Sequence, residues 1–311
     1  MDALQQRIVL VTRRSRLDDL VARLNTVEQA RFYVEHMGAD FSDYEAEQAT
    51  YRKAVDAAEA QLSRYGRVQR LDRSLVPNFL FPPDCVVVAI GQDGLVANTL
   101  KYLDGQPVIG VNPDTKRWDG VLLPFEVGDL KTVVPETQAR KRPTRAITMA
   151  RVALSDGQEL HAVNDIFIGP RSHVSARYAI EFGERREVQS SSGVVVSTGL
   201  GSTGWFRSLL TGAIRMAAPA SPKELKALQQ AGFPWESTYL YFTVREPFPS
   251  RTSQATLVFG RVEGEASLRL TSQMPDYGVI FSDGVESDFL EFNAGLTATV
   301  GVARRRGTLV L

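Results

Sequence analysis

The sequence predicts an α/β N-terminal domain, a parallel sheet with flanking helices, followed by a C-terminal all-β, sandwich-like domain. Three observations predict this. In the first part of the chain, short apolar runs alternate with segments of helical periodicity, the pattern of strands whose crossover helices cover a parallel sheet. From Arg145 onward the apolar runs are short, and turn residues separate them at short intervals, as in an antiparallel β domain. Between the two, KTVVPETQARKRPT (131–144) is rich in proline and charge and reads as a boundary. The domains are set at 1–142 and 143–291; the tail, about 292–311, is a final strand or a return to the first domain.

The elements come in order. RIVLVT (7–12) is a short buried strand. Leu17, Leu20, Val21, Leu24 and Val27 then recur at roughly helical spacing within LDDLVARLNTVEQARFYVEHM. A second helical stretch, TYRKAVDAAEAQLSRYG, ends at Gly66, which reads as a C-cap. RVQRLD is a further strand, DCVVVAIGQDG a stronger one with five consecutive apolar residues from Val86 to Ile90, LVANTLKYLDG a short helix, and PVIGVN the next strand. In the second half RAITMARVALSDG, HAVNDIFIGP, ARYAIEFGE, GVVVSTG, STYLYFTVREP, QATLVFGRVEG, ASLRLTSQMP and GVIFSDGV read as strands, with one helical insertion at about 204–231.

Composition narrows the function. Hydrophobic residues make up 43% and charged residues 23%, as in a globular protein, and 36 basic residues balance 36 acidic ones. Bulk charge therefore points to neither a nucleic-acid nor a membrane partner. Arg304, Arg305 and Arg306 read as a solvated terminal segment. The single cysteine, Cys85, excludes an intrachain disulfide framework, fits a reducing compartment, and reads as a buried residue at a strand start. His36, His161 and His173 show no metal-ligand spacing, so no protein-held metal is expected. No apolar run reaches membrane-spanning length, and a first strand at Arg7 leaves no room for a leader, so a cytoplasmic location is expected.

Three stretches carry candidate chemistry. GQDG (91–94) sits where a strand hands over to a helix, the place where open α/β sheets bind ligands. Gly91 and Gly94 let the backbone approach a ligand, and the amides opening the helix suit phosphate oxygens. Asp93 is out of place in a loop that only binds phosphate; it suits a base acting on a hydroxyl nucleophile or a metal-linked carboxylate, although Gly-Asp-Gly is also ordinary turn chemistry. VVVSTGLGSTGW (194–205) contains a literal G-x-G-x-x-G. A dinucleotide fingerprint also needs a second parallel strand after its helix, with an acid about 20 residues on. The helix instead leads into APASPKELKALQQAGFPWES, with no strand before about Tyr239, so that reading fails. A hydroxyl-bearing turn remains, with Thr198, Ser202 and Thr203 and a closing Trp205 suited to bordering a ring. In VNDIFIG (163–169), Asn164 and Asp165 offer two directed bonds to a ribose diol or a base edge, or simply form a strand-entry turn.

Together and in this order these stretches resemble the NAD kinase family, whose motifs are a GGDG loop, an Asn-Glu pair and a TPTGSTAY-like segment. SDGVES (282–287) is similar to that family's late Asp-Gly turn. The resemblance extends through most of the chain. It looks closest to the mitochondrial-type branch, with support from VTRRSRLDDL, PVIGVNPDTKRWDG, the SSG before the glycine segment, and LYFTVREPFPSR. It implies an active site in a crevice between the two domains, and transfer of the γ-phosphoryl of ATP to the 2′-hydroxyl of the adenosine ribose of NAD, giving NADP. It further implies Asp93 as general base; Gly91, Gln92 and Gly94 at the phosphates; and Asn164, Asp165, Thr198, Ser202, Thr203, Gly204, Trp205 and Ser208 around NAD. The divalent cation (Mg2+) would arrive with ATP, and a homodimer or higher homo-oligomer is expected.

The sequence departs from the family at several points. Gln92 replaces a glycine, Leu95 a frequent threonine, and Asp165 a glutamate one methylene longer. Ser192 stands where many members have an aspartate, which the mitochondrial-type branch also lacks, and Leu200 and Trp205 replace smaller or phenolic residues. These departures keep open two alternatives: a non-catalytic NAD- or NADP-binding sensor, and a lipid or small-molecule kinase sharing a GGDG-type loop.

Overall fold

The fold begins with strand β1 (Arg7–Thr12), a run of small and branched apolar residues whose side chains are buried after Arg7. In the computed structural model, residues 6–311 are described, apart from 219, 221, 265 and 266 and the side chains of 286 and 287. The chain divides into two compact units, Met1–Arg145 with Thr308–Leu311, and Ala146–Gly307.

In the first unit β1 is followed by α1 (Arg16–Leu24), α2 (Val27–His36) and α3 (Phe41–Leu62). Ser15 and Asp18 form a reciprocal capping box that starts α1. The single helical stretch expected next is two helices, because Asn25 turns left-handed (φ 71°) and the Thr26 side chain caps a new start. Then come β2 (Arg67–Asp72), β3 (Val86–Ile90), α4 (Asp93–Leu100), β4 (Pro107–Val111) and α5 (Leu130–Gln138). The sheet order is β2-β1-β3-β4, with all pairings parallel. Its apolar face meets Tyr51, Val55, Ala58 and Leu62 of α3 and Leu130, Val133 and Val134 of α5, each fully buried aliphatic side chain contributing roughly 1.5–3 kcal/mol.

One local expectation is corrected, and one stretch is more ordered than its composition suggests, although the two units divide just after it. Gly66 does not cap α3, which ends on Ser63; a Cβ at Gly66 would lie 2.3 Å from the Gln6 carbonyl oxygen, so glycine lets β2 start against that backbone. The stretch expected to be a boundary contains α5, with Pro135 inside it. Proline cannot donate to the carbonyl four residues earlier, that of Lys131; the Tyr65 hydroxyl donates to it instead, at 3.1 Å.

The second unit is built from β5 (Thr144–Leu154), β6 (Glu159–Ala162), β7 (Asp165–Pro170), β8 (Ala176–Phe182), β9 (Arg185–Ser191) and β10 (Val194–Ser197), then α6 (Trp205–Ala217) and α7 (Lys223–Ala231). It continues with β11 (Tyr239–Val244), β12 (Phe259–Glu263), β13 (Leu268–Ser272), β14 (Gly278–Ser282), β15 (Val285–Glu291) and β16 (Thr297–Val310). One sheet runs β12-β11-β10-β7-β14-β15 and is antiparallel throughout. Facing it are β9-β8-β13-β16 with β5 and β6. Ile166, Ile168, Val194, Val196 and Phe242 of the first sheet pack against Val152, Tyr178, Ile180, Leu268 and Val300 of the second, forming a sandwich core. Strand β16 ends in the first unit, where Thr308 and Leu309 pair parallel with Pro107 and Val108. Arg304 to Arg306 therefore lie inside a strand rather than on a solvated terminal segment, and Arg306 Nη1 donates to the Glu236 carbonyl at 3.4 Å.

The fold class is the one the sequence predicts, an α/β unit on a parallel sheet joined to an antiparallel β unit. Among the described residues no helix is long and apolar enough to cross a membrane.

Candidate active site

The GQDG loop occupies the topological switch point of the first unit. From β1 the chain passes to β2 on one side and later to β3 on the other, so the carboxyl ends of β1 and β3 open beside each other. Tyr51 ties those ends together: its hydroxyl accepts from Arg13 N at 2.8 Å and donates to the Ile90 carbonyl at 3.1 Å. At Gly91 a Cβ would meet Leu95 Cδ2 at 3.0 Å and Arg13 Cδ at 3.4 Å, so a side chain there would press on both. At Gly94 nothing lies within 4 Å, and the residue is exposed, which leaves its backbone open to a ligand. Gln92 precedes α4, and its side chain makes no capping bond. Leu95 is buried and packs beneath Gly91. Asp93 opens α4, where the helix dipole favours an anion. One carboxylate oxygen, Oδ1, accepts from Leu122 N at 2.7 Å, which fixes the orientation of the group.

Leu122 is itself placed by a folded segment after β4. Asn112 Nδ2 donates to the Trp118 carbonyl at 2.9 Å and Asn112 Oδ1 accepts from Asp114 N at 3.0 Å. At Gly110 a Cβ would lie 1.9 Å from the Leu122 carbonyl, so glycine lets this segment cross β4. An ion-pair chain holds the outside of the segment. Arg117 reaches Asp43, Asp43 reaches Arg16, and Arg16 and Arg13 share Glu47. Hydrogen bonds from Arg117 and then Arg16 keep the Asp43 carboxyl well below the usual carboxylate range. Cys85, at the entry to β3, is 1% exposed, and burial raises its thiol to about 11, the behaviour of a packing residue.

In the second unit the other predicted residues fall into one cluster. Strand β10, before the glycine segment, pairs antiparallel with β7 and β11, so no parallel strand–helix–strand unit exists there and the glycines serve chain packing. A Cβ at Gly199 would lie 1.9 Å from the Pro234 carbonyl oxygen, and one at Gly201 2.1 Å from that of Asn164. The buried hydroxyls close the turn on itself. Thr198 Oγ1 donates to the Val163 carbonyl at 2.5 Å, and Ser202 Oγ donates to the Gly199 carbonyl at 2.6 Å. Thr198 N also donates to the Asn164 carbonyl at 2.9 Å, which joins this turn to the Asn164–Asp165 pair. Thr203, Gly204 and Ser208 are exposed on the rim. Trp205 is half-buried and stacks on Phe167 with 5.7 Å between centroids, while the Arg245 guanidinium lies 5.4 Å from its ring.

The Asp-Gly turn completes the cluster. Asp283 accepts from three successive amides: Val163 N at 3.0 Å, Asn164 N at 2.6 Å and Asp165 N at 3.3 Å. Asp283 and Gly284 both lie in the left-handed region (φ 55° and 68°), which folds the turn back onto β7. The Asp165 side chain is buried, and burial followed by the negative charge of Asp283 raises it to about 7. Sequence patterns do not single out Phe167, Arg245, Arg13 or Tyr51. Phe167 and Tyr51 look like ordinary core aromatics, and only tertiary packing places them at these sites.

An α/β unit on a parallel sheet, joined to an antiparallel β unit, is the two-domain fold of solved NAD kinases. Two solved structures carry the likeness, each with a TM-score of 0.56 and 14% identity. An NAD kinase from Archaeoglobus fulgidus in complex with ATP matches over 98% of this chain and 94% of its own. Yeast NADH kinase complexed with NADH matches over 99% of this chain and 84% of its own. No family model and no curated protein sequence matches the chain.

Proposed function

We propose that this chain is an NAD kinase that transfers the γ-phosphoryl of ATP to the 2′-hydroxyl of the adenosine ribose of NAD, giving NADP. The observation that carries the reading is the GQDG loop at the switch point, with the Asp93 carboxylate anchored by Leu122 N through one oxygen and opening a helix N-terminus. A ribose hydroxyl is a weak nucleophile at neutral pH, so a positioned carboxylate helps. Asp93 takes the proton of the 2′-hydroxyl; that oxygen forms the new bond to the γ-phosphorus, and the bond to the β–γ bridging oxygen breaks, its electron pair leaving with ADP. The backbone at Gly91 to Gly94 and the first turn of α4 suit the phosphates. Asn164 and Asp165 suit the dinucleotide, with Thr203, Gly204, Trp205 and Ser208 on the rim, while Thr198 and Ser202 shape the turn from within.

Among the described residues no group of three or more His, Cys, Asp or Glu comes together. On this reading the divalent cation comes with ATP and offsets phosphate charge, and the steps assigned here are those of the chain's own groups. The finer expectations belong to the same proposal: the mitochondrial-type branch, a cytoplasmic location, and a homo-oligomer.

A coupled NADP-formation assay with NAD, ATP and magnesium tests it, run beside Asp93→Asn. The variant should lose about 10²-fold or more in kcat with an unchanged circular-dichroism spectrum, the usual scale for a general base. Undiminished turnover would remove Asp93 from that role, and absence of NADP with NAD and NADH alike would remove the kinase reading.

A further inference from the structure

We propose that Asp165 and Asp283 work as a one-proton pair, in which Asp283 stays ionised and keeps Asp165 protonated, so that Asp165 meets its ligand as a hydrogen-bond donor. The use made of it rests on the dinucleotide-binding role proposed above. Two features of the geometry carry the inference. The Asp283 carboxylate accepts from the amides of Val163, Asn164 and Asp165, and several N–H donors on one carboxylate favour its charged form. Asp165 is 8% exposed, and its carboxyl has no hydrogen-bond partner among the described residues, so nothing there stabilises a second negative charge.

Among the described residues, the strands beside Asp165 add no compensating cation. Across β10 the residue opposite is Ser197, whose hydroxyl donates to the Thr198 carbonyl. On β14 stands Ser282, paired with Ile166, and after it Asp283, the charged group acting on Asp165. Two carboxyls this close, one of them desolvated, do not both ionise near neutrality. The consequence is chemical. An ionised Asp165 would seek hydroxyl donors, whereas a protonated one reaches an acceptor, a ring nitrogen or a carbonyl oxygen of the dinucleotide. Asn164, beside it, makes no side-chain bond among the described residues and keeps both donor and acceptor for the same ligand.

The pair can be titrated in the full chain without substrate. Carboxyl carbon NMR with labelled aspartate, assigned by loss of signal in Asp165→Asn, should place Asp165 near the value of about 7 and well above ordinary aspartates. In Asp283→Asn, which keeps an oxygen for the amides but removes the charge, the midpoint should fall by about a unit or more. NAD titrated calorimetrically should bind more weakly as pH rises, by about 30-fold between pH 6 and 8.5, since each unit above the midpoint costs up to tenfold. Asp165→Asn, which donates at every pH, should flatten that slope. An Asp165 carboxyl titrating near 4, or an NAD affinity whose pH slope is the same in Asp165→Asn, would overturn the inference. NAD binding at no pH, with Asp165 still titrating near 7, would remove the kinase reading and leave the proton pair standing.

Discussion

Gly201 and Gly204 belong to the same glycine string yet face opposite constraints. A methyl group at Gly201 would sit 2.1 Å from the Asn164 carbonyl oxygen, a fixed backbone atom, whereas at Gly204 the nearest atom is 3.5 Å away and the residue is exposed. Gly201→Ala should therefore separate the 198–204 turn from the Asn164–Asp165 turn, with the Thr198 N to Asn164 carbonyl bond the first to go. A loss of about 2–4 kcal/mol is expected, the scale of forced overpacking plus a broken buried hydrogen bond. Gly204→Ala, whose methyl meets no atom closer than 3.5 Å, should cost less than Gly201→Ala. Urea melts of the two variants check this, and equal effects would refute the packing role assigned to Gly201. The difference is not legible in the sequence, where the glycines look alike. The negative result is legible there, because the absence of a parallel strand after the helix is enough to exclude a dinucleotide fingerprint.

At the scale of elements, periodicity reveals most of what is local. β1 and β3 are continuous apolar runs, as strands buried on both faces must be, and α6 and α7 follow the helical spacing of their apolar residues. α5 stays hidden because Pro135 reads as a breaker and its rescue is tertiary: the Tyr65 hydroxyl, 66 positions from Lys131, takes the place of the missing amide. The Asn164–Asp165 site is legible only as residue types. Its order comes from Asp283, about 120 positions away, which no local pattern connects to it. The α5 account makes a prediction. Tyr65→Phe should cost about 0.5–1.5 kcal/mol, the net value of one hydrogen bond. The cost should shrink when Pro135→Ala restores an amide donor to the Lys131 carbonyl. A double-mutant cycle measured by denaturant unfolding reads the coupling, and strict additivity would show that Tyr65 does not serve that carbonyl.

For the whole molecule, two sets of carboxyls set opposite limbs of the stability profile. Asp43 and Glu47 of the ion-pair chain and Glu187 in the second unit are all held below their ordinary values. For Glu47 burial works the other way and is outweighed by Arg16 and Arg13. For Glu187, lowered to about 2, burial is likewise outweighed by bonds from Thr256, Gln189 and the amides of Leu257 and Thr256. Groups whose folded values are depressed contribute stability above their unfolded values, near 4, and lose it as the pH falls through the folded ones. Asp165 has the reverse sign. Its folded value of about 7 lies above the unfolded one, so its contribution is complete below about pH 4 and is lost as the pH rises through 7. At roughly 1.4 kcal/mol per unit, a shift of about three units is worth about 4 kcal/mol at most. Stability should therefore peak in mildly acidic solution and decline toward pH 8, an uncommon profile for a chain with 36 basic and 36 acidic residues and no net charge. Asp165→Asn should remove the alkaline decline, raising the melting temperature above wild type at pH 8 and leaving the acid limb where it is. Melting temperatures recorded every half unit from pH 3 to 9 for both proteins test this. A wild-type profile flat from pH 5 to 8, or a variant that melts below wild type at pH 8, would contradict the burial of an unpaired acid at the start of β7.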